Sequence, residues 1–411
     1  MAQLSDDCFA FGGSLLPLDD ARAQIVARYG CSLGRESVTL WDAGGRVLAD
    51  DVIAPMNLPP ETNSAVDGYA VHYADLARDA PTQLKIIGRA AAGHPILNAS
   101  PRGQALRIFT GAVVPAGPDT VMMQEDCVET AAGVLIQPGI RQGANLRPAG
   151  EDIAIGATAL AAGTRLSPAD LALLAALGQT HATVRCRLRV ALFSTGDELA
   201  IAPAPLRPGQ IYDANRVMLA TILRRRGADV IDGGILPDDP GATARAFAAA
   251  RADLIITSGG VSAGEEDHVR TAILAAGTLE FWRVAIKPGR PVALGRVGNT
   301  PLLGLPGNPV AALVTLATVG QPLLDCLAGA IDAPPMRFDV TSDFAYRKKA
   351  GRREYVRVQI RGNHARRFPK EGAGIITSLT GSDALLELPE AMTDLAPGDI
   401  AGCIPLGQIH G

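Results

Sequence analysis

The second half of the chain alternates short apolar runs with longer runs of helical character. From residue 188 the strand-like runs are RVALFST, DVIDGG, DLIITS, LEFWRVAI and PVALGRV, separated at first by the helix-like runs NRVMLATILRRRG, GATARAFAAARA and DHVRTAILAAG. The run PLLGLPGNPVAALVTLATV follows them. Strands and helices that alternate in this way are typical of βαβ units, so the pattern predicts an α/β fold with a doubly wound, mostly parallel sheet.

The first half of the chain has a different texture. One helical run, PLDDARAQIVARYG, lies near the start, and SPADLALLAAL predicts a second helix with Ser167 as N-cap and Pro168 at the first helical position. Between them, residues 52–153 are rich in glycine and proline and contain short β-branched runs such as KIIG, TVMMQ and GVLIQPG. This texture predicts an inserted all-β domain.

The helical runs stop after Pro334 and Pro335. Strand-like runs such as REYVRVQI, ALLELP and DIAGCIPL then predict a small C-terminal β domain. The predicted division of the chain is an N-terminal region of residues 1–50 and 150–187, an inserted β domain at 51–149, an α/β domain at 188–332 and a C-terminal domain at 333–411.

Composition narrows the class of protein. The 411 residues suggest two to four domains, and 47% apolar with 19% charged residues are typical of packed globular cores. A net charge of −4 argues against a surface built for nucleic acid. The six cysteines form no CxxC pair, no apolar run reaches about 18 residues, and acids stand near the N-terminus. We therefore predict a cytoplasmic protein that binds neither nucleic acid nor membrane.

The loop TSGGVSAGEEDHV joins a predicted buried strand to a predicted helix. Its glycines allow positive φ and close approach of the backbone to a ligand, and N–H groups at the following helix start favour an anion. This favours a phosphate-binding loop. The alternative, a tight turn with acids that suit the start of a helix, remains open.

Other loops are predicted at the same edge of the sheet. STGDEL contributes Glu198, and LPDDP contributes Asp238 and Asp239. Carboxylates from separate strand ends beside a phosphate loop are typical of a Mg²⁺ site, although one of the two aspartates in LPDDP is better explained as a helix cap. The run WRVAIKPGRP adds Arg283, Lys287 and Arg290, which could bind a phosphate or simply face solvent.

These motifs together resemble a known family. PPETNSAVDGYAV, FTGAVVPAGPDTVMMQED, RQGANLRPAGEDI, FSTGDEL, LPDDP, SGGVSAGEED, IKPGRP and GLPGNPVAALVTL occur in the order found in the MoeA-type molybdopterin molybdenumtransferases, which are similar to the C-terminal domain of gephyrin. The resemblance covers about residues 15–405. No single motif is decisive, but their joint order is highly specific.

The resemblance implies an elongated, homodimeric subunit of four parts that ends in a β-barrel. It also implies an Mg²⁺-dependent reaction in which adenylylated molybdopterin and molybdate react, AMP leaves and molybdenum remains on the dithiolene. Contacts with the adenylyltransferase that makes the substrate, and with the apo-molybdoenzymes that receive the product, are implied as well.

Site residues follow from the same resemblance. It implies metal and nucleotide contacts for Glu198, Asp238 and Asp267, a phosphate loop of Ser258, Gly259, Gly260, Ser262 and Gly264, and anion contacts for Lys287, Arg283 and Arg290. Asp67 and Thr110 match functional positions that reach the cleft of the other subunit, with an Asx turn and an ordinary strand residue as alternatives. Arg283 and Arg290 stand where many relatives carry lysine, which keeps the charge but alters the contact geometry.

A basic band precedes the C-terminus. It consists of Arg347, Lys348, Lys349, Arg352, Arg353, Arg357, Arg361, Arg366 and Arg367. A solvated face and a nucleic-acid contact are alternatives, but on an acidic protein such a band favours attraction of an anion into a cleft. The resemblance selects Arg352 and Ser378 for contact with pterin or phosphate.

Two other functions remain open at this stage. The adenylyltransferase has the same α/β fold, but its relatives carry TGGTG where this chain has SGGVS, and they lack the flanking regions. An inactive scaffold on the same fold is the second alternative, against which the presence of Glu198, Asp238, Asp267 and Lys287 argues.

Overall fold

The computed structural model describes residues 15–261, 268–331 and 334–410. The N-terminal region comes from two separated segments that pair with each other. Its elements are α1 (Leu18–Arg28), β1 (Arg35–Thr39), β2 (Val52–Ile53) and β3 (Asn63–Ser64), and, after the insertion, β10 (Leu146–Arg147), β11 (Thr158–Leu160), α2 (Pro168–Ala176) and β12 (His181–Arg185). β1 pairs with β12, β2 with β11 and β3 with β10, all antiparallel.

The helix α2 begins where its sequence predicts. The Ser167 hydroxyl accepts a hydrogen bond from the N–H of Asp170, and the Asp170 carboxylate accepts one from the N–H of Ser167. This capping box satisfies two N–H groups at the helix start, and Pro168 occupies the first helical position, where a missing N–H costs nothing.

The insertion is a sheet of six strands. They are β4 (Gly68–Val71), β5 (Thr82–Ala90), β6 (Gln104–Ile108), β7 (Thr120–Met123), β8 (Cys127–Thr130) and β9 (Gly133–Ile136). Their order is β7-β4-β6-β5-β9-β8, with only the β5–β6 pair parallel. Small apolar clusters cover both faces of this sheet, which gives the insertion cores of its own.

The α/β region contains the predicted sheet. Its elements are β13 (Arg189–Thr195), β14 (Leu199–Ala200), β15 (Ile211–Tyr212), α3 (Ala214–Arg225), β16 (Asp229–Leu236), α4 (Pro240–Ala249), β17 (Leu254–Ser258), α5 (His268–Ala276), β18 (Gly277–Arg283), β19 (Ile286–Lys287), β20 (Pro291–Val297), β21 (Thr300–Leu305), α6 (Pro309–Thr315) and α7 (Gln321–Ala328). The sheet order is β16-β13-β17-β21-β20-β18, in which the first four strands are parallel and the last two antiparallel. The predicted fold class is confirmed.

Each face of this sheet buries a separate apolar layer. One layer includes Leu192, Ile256 and Leu303 with residues of α1, α3, α6 and α7, and the other includes Phe193, Ile255 and Leu302 with residues of α4 and α5. Neighbouring residues of one strand point to opposite layers because side chains alternate along a strand. The central strands are therefore continuous apolar runs, as a sheet covered on both sides requires.

The C-terminal region forms a closed barrel. Its elements are β22 (Phe338–Ser342), β23 (Tyr346–Arg347), β24 (Arg353–Arg361), β25 (His364–Arg367), α8 (Thr377–Thr380), β26 (Ala384–Leu388), β27 (Asp394–Leu395), β28 (Ile400–Pro405) and α9 (Leu406–His410). β24, β25, β22, β28 and β26 pair in turn, and β26 pairs back to β24. β19 of the α/β region adds to β24, so the two regions share a strand pairing.

Two features differ from the sequence prediction or qualify it. The barrel carries the short helices α8 and α9, so the prediction that helices disappear after Pro335 is wrong; runs of four or five residues are too short to show helical periodicity. In the described part of the chain, Pro309–Ala328 is the one helical stretch long and apolar enough to cross a membrane by length and composition, but 89% of its apolar window is buried inside the protein. It is a core helix.

Candidate functional site

The loops after β13 and β16 are joined at the carboxyl edge of the parallel sheet. The N–H of Asp197 donates to the Asp238 carboxylate at 3.1 Å, and the N–H of Asp238 donates to the Asp197 carboxylate at 3.2 Å. Glu198 belongs to the first of these loops, and its carboxylate lies against Gly196, where a Cβ would meet it. The φ of Gly196 is +142°, a conformation that favours glycine. Glu198 and Asp238 therefore share one edge, as the sequence predicts.

Asp239 has a different role from its neighbour Asp238. It is the N-cap of α4, and its side chain accepts a hydrogen bond from the N–H of Ala242. Pro240 occupies the first turn of the same helix. Of the two aspartates in LPDDP, Asp239 is thus the capping residue, and Asp238 is left for the edge of the sheet.

The described part of the glycine-rich loop packs tightly against the neighbouring strand end. Gly259 and Gly260 have φ of +99° and +65°, and a Cβ on Gly260 would lie 2.8 Å from the Thr195 hydroxyl oxygen. The Ser258 hydroxyl accepts a hydrogen bond from Asn215 at 2.8 Å and donates to the Pro306 carbonyl at 3.4 Å. Glycine is needed at both positions, and Ser258 is committed to holding the loop.

Buried polar atoms without partners lie beneath this loop. The hydroxyls of Ser194, Thr195 and Thr257 and the amide oxygen of Asn215 are buried and make no hydrogen bond. Unpaired buried polar groups are costly and cluster at functional sites. Their position at the ends of β13 and β17 marks this edge of the sheet as a place where a polar ligand can bind.

Three predicted site residues, Ser262, Gly264 and Asp267, lie outside the described residues. Within the described ranges, no group of three or more His, Cys, Asp or Glu side chains is arranged to hold a metal ion. Glu198 and Asp238 are two carboxylates of the kind that Mg²⁺ prefers, and a third ligand from Asp267 stays a prediction.

A cavity of about 580 Å³ separates the α/β region from the barrel. Lys287 and Arg290 line it from the α/β side. Among the residues that the structure describes, nine basic and two acidic side chains line it: Lys287, Arg290, Arg347, Lys348, Lys349, Arg352, Arg357, Arg367 and Lys370, with Glu354 and Glu371. This excess of positive charge in a concave site favours an anionic ligand. We call it the cationic pocket.

Glu354 organises the charges on one wall of the cationic pocket. It is 1% exposed and accepts hydrogen bonds from the Tyr346 hydroxyl at 2.8 Å, from Arg352 Nε at 2.7 Å and from Lys287 Nζ at 3.1 Å. Burial alone would raise the pKa of Glu354, but the hydrogen bond from Tyr346 and the charge of Lys287 hold it below its usual value. The carboxylate is therefore ionised at neutral pH and fixes the two cations.

Burial also shifts the pKa values of other groups in the cationic pocket. Burial lowers the pKa of Lys348, whose ammonium donates to the Arg352 carbonyl at 2.7 Å. Burial also lowers the pKa of Arg357, and burial with the Glu354 contact raises that of Tyr346 to about 12. These groups are held away from water, where an anion gains more from each contact.

The predicted cations divide between two places. Lys287, Arg290 and Arg352 line the cationic pocket, whereas Arg283 lies in β18 and its carbonyl accepts a hydrogen bond from the N–H of Leu16 at 3.1 Å. Ser378 is fully buried; its hydroxyl accepts from Arg357 Nε at 3.0 Å and donates to the Ile375 carbonyl. Ser378 therefore orients Arg357, which lines the pocket.

The edge of the sheet that carries Glu198 and Asp238 is called here the carboxylate edge. The loop 306–308 connects the cationic pocket to the glycine-rich loop at this edge. Pro306 and Asn308 line the pocket, and the Pro306 carbonyl accepts the hydrogen bond from Ser258 in the glycine-rich loop. Glu198 and Asp238 do not line the pocket. Of the predicted residues that the structure describes, Glu198 and Asp238 therefore lie at the edge of the sheet, and Lys287, Arg290 and Arg352 lie in the adjoining pocket rather than around the same cavity.

Asp67 and Thr110 form a pair in the inserted sheet. The Asp67 carboxylate accepts hydrogen bonds from the Thr110 N–H at 2.8 Å and hydroxyl at 2.7 Å. The backbone contact first, and then the hydroxyl, holds the pKa of Asp67 below its usual value. Neither residue lines the cationic pocket.

The sequence prediction missed part of the pocket. Glu354, Tyr346 and Lys370 were not singled out, and within the basic band Arg353, Arg361 and Arg366 do not line the cavity. A lone glutamate inside a run of arginines was the available signal for Glu354. Cations in such a run need a buried acid when they are withdrawn from water.

Comparison with known proteins assigns the chain to a family. Residues 16–178 match the MoeA N-terminal region (domain I and II), residues 191–325 a probable molybdopterin binding domain, and residues 339–406 the MoeA C-terminal region (domain IV). The molybdopterin molybdenumtransferase of Haemophilus influenzae is 36% identical over 97% of this chain and all of its own length. That of a Nostoc species is 37% identical over 91% of this chain and 89% of its own.

A solved structure agrees with these matches. The molybdopterin biosynthesis MoeA protein of Pyrococcus horikoshii OT3 superposes with a TM-score of 0.83 at 28% identity and covers 95% of this chain and all of its own. The fold and the site define a multi-domain α/β protein with an anion pocket. The chain belongs to the MoeA family, whose curated relatives are named molybdopterin molybdenumtransferase.

Proposed function

We propose that this protein is a molybdopterin molybdenumtransferase of molybdenum cofactor biosynthesis. In this reaction adenylylated molybdopterin and molybdate react, the phosphoanhydride is cleaved with release of AMP, and molybdenum remains on the dithiolene. The observation that carries the proposal is a cationic pocket joined by the loop 306–308 to the glycine-rich loop and the carboxylate edge of the sheet. Full-length relatives with this name support it.

The cationic pocket is suited to hold an oxyanion. Lys287 is a point charge and Arg290 and Arg352 offer planar forks of N–H donors, which together suit molybdate or a phosphate group. Charge that builds on the departing phosphate is stabilised by donors that are already in position. Glu354 keeps Lys287 and Arg352 in place before the anion arrives, so little reorganisation is needed.

Magnesium belongs to the proposal as well. Glu198 and Asp238 supply oxygen donors at the edge of the sheet, which fits a Mg²⁺ ion completed by substrate phosphates, with Asp267 as a third protein ligand. When bound, such an ion supplies charge neutralisation for the phosphoanhydride. The joined loops of Asp197 and Asp238 hold the two carboxylate-bearing strand ends at a fixed separation.

We also infer a homodimer in the cytoplasm in which Asp67 and Thr110 reach the cleft of the other subunit. This agrees with the finding that neither residue lines the cationic pocket of its own chain. The adenylyltransferase alternative is not favoured, because the chain matches the family over its N-terminal and C-terminal regions as well. Transfer from the adenylyltransferase and delivery to apo-molybdoenzymes follow from the chemistry of substrate and product.

Incubation with adenylylated molybdopterin, Mg²⁺ and molybdate tests the proposal. The complete mixture should release AMP and activate an apo-molybdoenzyme, and omission of Mg²⁺ should stop both. Asp267→Ala should abolish AMP release, while the matched exposed variant Asp339→Ala retains it. Full turnover by Asp267→Ala would remove Asp267 from the metal site, and an inactive wild-type protein would overturn the proposal.

A further inference from the structure

A second, smaller pocket lies where the N-terminal region meets the α/β region. Its volume is about 30 Å³, and it is bounded by the segments 45–47, 185–188, 226–228 and the end of α7. It shares no lining residue with the cationic pocket. The two sites are therefore separate in the structure.

Five arginines line this junction pocket, and the segments that carry them are far apart in the chain. They are Arg46, Arg165, Arg185, Arg187 and Arg226. Asp325 is the only acid among the described residues that line it, and it accepts from Arg165 at 2.9 Å. Glu36, just outside, pairs with Arg46. Guanidinium groups do not lose their protons, so about three positive charges remain without a carboxylate.

Backbone carbonyls offset this charge only in part. Arg165 donates to the Gly45 and Arg226 carbonyls at 3.2 and 2.9 Å, and Arg187 donates to the Gly227 carbonyl at 3.3 Å. The Nε donor of Arg185 is buried and has no partner. Arg226 donates to the Gln321 side chain and to the Gln408 carbonyl, both at 3.0 Å, and Arg46 donates to the Arg185 carbonyl at 2.7 Å. A buried N–H of a charged group that lacks an acceptor is costly, so Arg185 Nε is a donor that a ligand oxygen could satisfy.

Two of the five arginines, Arg165 and Arg187, lie beside Gly227, which carries no side chain. Gly227 has φ of +85°, and a Cβ there would lie 3.8 Å from Arg165 Nη1 and 3.9 Å from Arg187 Nη1. Burial also lowers the pKa of the adjacent Arg226, which shows that this guanidinium is poorly solvated. The space beside Gly227 is thus bordered by two guanidinium groups and by the Gly45 carbonyl oxygen, which a Cβ would approach to 3.4 Å.

We propose that the junction pocket binds a tetrahedral oxyanion dianion such as inorganic phosphate. Two oxygens of such an ion can accept forked N–H donors, as arginine prefers, and its charge offsets the surplus. The small volume excludes a nucleotide or a pterin. Because Arg165 and Arg185 belong to the N-terminal region and Arg226 to the α/β region, the bound anion joins the two regions and stabilises their interface.

Thermal unfolding in potassium phosphate, against potassium chloride of equal ionic strength, tests the proposal. Phosphate at a few times its Kd should raise the unfolding midpoint of the wild-type protein by about 2–4 °C. Phosphate can also bind in the cationic pocket, so Arg290→Gln, which weakens that site, should lose only the part of the shift that arises there and keep the part that the junction pocket supplies. Arg187→Gln should lose at least half of the shift, and it is a mild change because this side chain is exposed.

Arg185→Gln provides a second variant, and the exposed Arg366→Gln is the matched control that should keep the full shift. An unchanged shift in both Arg187→Gln and Arg185→Gln would overturn the proposal, as would its complete loss in Arg290→Gln alone. Sulfate and molybdate, each tested on Arg290→Gln, should both raise the midpoint. A shift with molybdate only would contradict a general oxyanion site. None of these outcomes depends on transferase activity.

Discussion

Glu354 shows how one residue can set the character of a binding site. It is an acid inside the cationic pocket, where its charge alone would oppose the anion that we propose binds there. Its three donors, Tyr346, Arg352 and Lys287, convert it into a fixed point around which the cations are arranged. The Glu354 carboxylate therefore acts as a positioning group that holds the cations of the pocket in place.

The variant Glu354→Gln separates the repulsion of the anion by Glu354 from the positioning of Lys287 and Arg352 by Glu354. It keeps the size and one acceptor but removes the charge that holds Lys287 and Arg352. If positioning dominates, the KM for molybdate should rise about tenfold, since a hydrogen bond to a charged group contributes roughly 1.5–3 kcal/mol. Steady-state AMP release at varied molybdate measures it.

The control for this test is Glu371→Gln, because Glu371 also lines the pocket but its side chain is 67% exposed. That change should alter the KM much less. A KM that falls in Glu354→Gln would show that the acid opposes the anion, and the positioning role would be wrong.

At the residue scale, the sequence could identify the charged residues of the pocket but not their hydrogen-bond partners. Lys287, Arg290 and Arg352 were predicted from charge and from resemblance, and they line the pocket. Ser378 was predicted to contact a ligand, but it is buried and its hydroxyl is used by Arg357. Hydroxyl hydrogen bonds depend on which strands meet, and no local pattern in the sequence reports that.

The strand β24 connects the site to the rest of the fold. Arg352 and Glu354 face the cationic pocket, while Arg353 between them binds the Asp19 carboxylate of α1 at 2.8 Å. Arg353 also contacts Glu387 at 3.4 Å and Glu390 at 3.1 Å in the barrel. The same strand that presents pocket residues is thus clamped to the first helix of the chain.

Replacing this clamp should loosen the barrel wall. Arg353→Met keeps much of the apolar stem but removes contacts to Glu387, which is 8% exposed and retains Arg337. We expect a loss of about 2 kcal/mol, typical of hydrogen bonds to a charged group. Hydrogen exchange should show weaker protection in 353–361 and 384–388, with 189–195 unchanged.

Arg366→Met is the matched control for the clamp, because Arg366 is exposed and belongs to the same basic band. It should leave exchange unaltered. If protection of 353–361 is the same in Arg353→Met as in the wild-type protein, the clamp contributes nothing and the strand is held by its neighbours alone.

At the scale of helices and strands, the sequence predicted best the features that depend on residues close together in the chain, such as helix ends. The N-cap at Ser167 and the helix Ala214–Arg225, which ends in arginines before Gly227, were both predicted and both form. The C-terminal β-barrel, which the resemblance implied, is confirmed, but the antiparallel pair β18–β20, the pairing of β24 with β26 and the addition of β19 were not predicted. These depend on pairing between distant segments, which periodicity does not encode.

At the scale of the whole molecule, the candidate site is assembled from segments that are far apart in the sequence. The glycine-rich loop, the carboxylate edge and the cationic pocket adjoin within one chain, whereas Asp67 and Thr110 lie in the inserted sheet. Sequence order could place the first three near one sheet edge because strand ends of a parallel sheet share an edge. It could not show that Lys287 and the acids occupy adjoining places rather than one cavity.

Co-expression of two inactive variants tests the two-chain arrangement. If Asp67 serves the cleft of the other subunit, Asp67→Ala and Glu198→Ala together should recover about a quarter of wild-type AMP release, because half of the dimers are mixed and each has one intact site. Glu198→Ala with Lys287→Ala should recover nothing, since both residues serve the same site. Equal recovery in both pairs, or none in the first, would contradict the arrangement.

The measurement that tests the central claim most directly is AMP release as a function of molybdate, for the wild-type protein and for Lys287→Met. The claim is that the cationic pocket holds the anion that drives release of AMP at the adjoining edge of the sheet. It predicts that wild-type AMP release rises with molybdate and saturates, and that Lys287→Met needs about tenfold more molybdate. AMP release that ignores molybdate, or a variant that saturates at the same concentration as the wild-type protein, would contradict it.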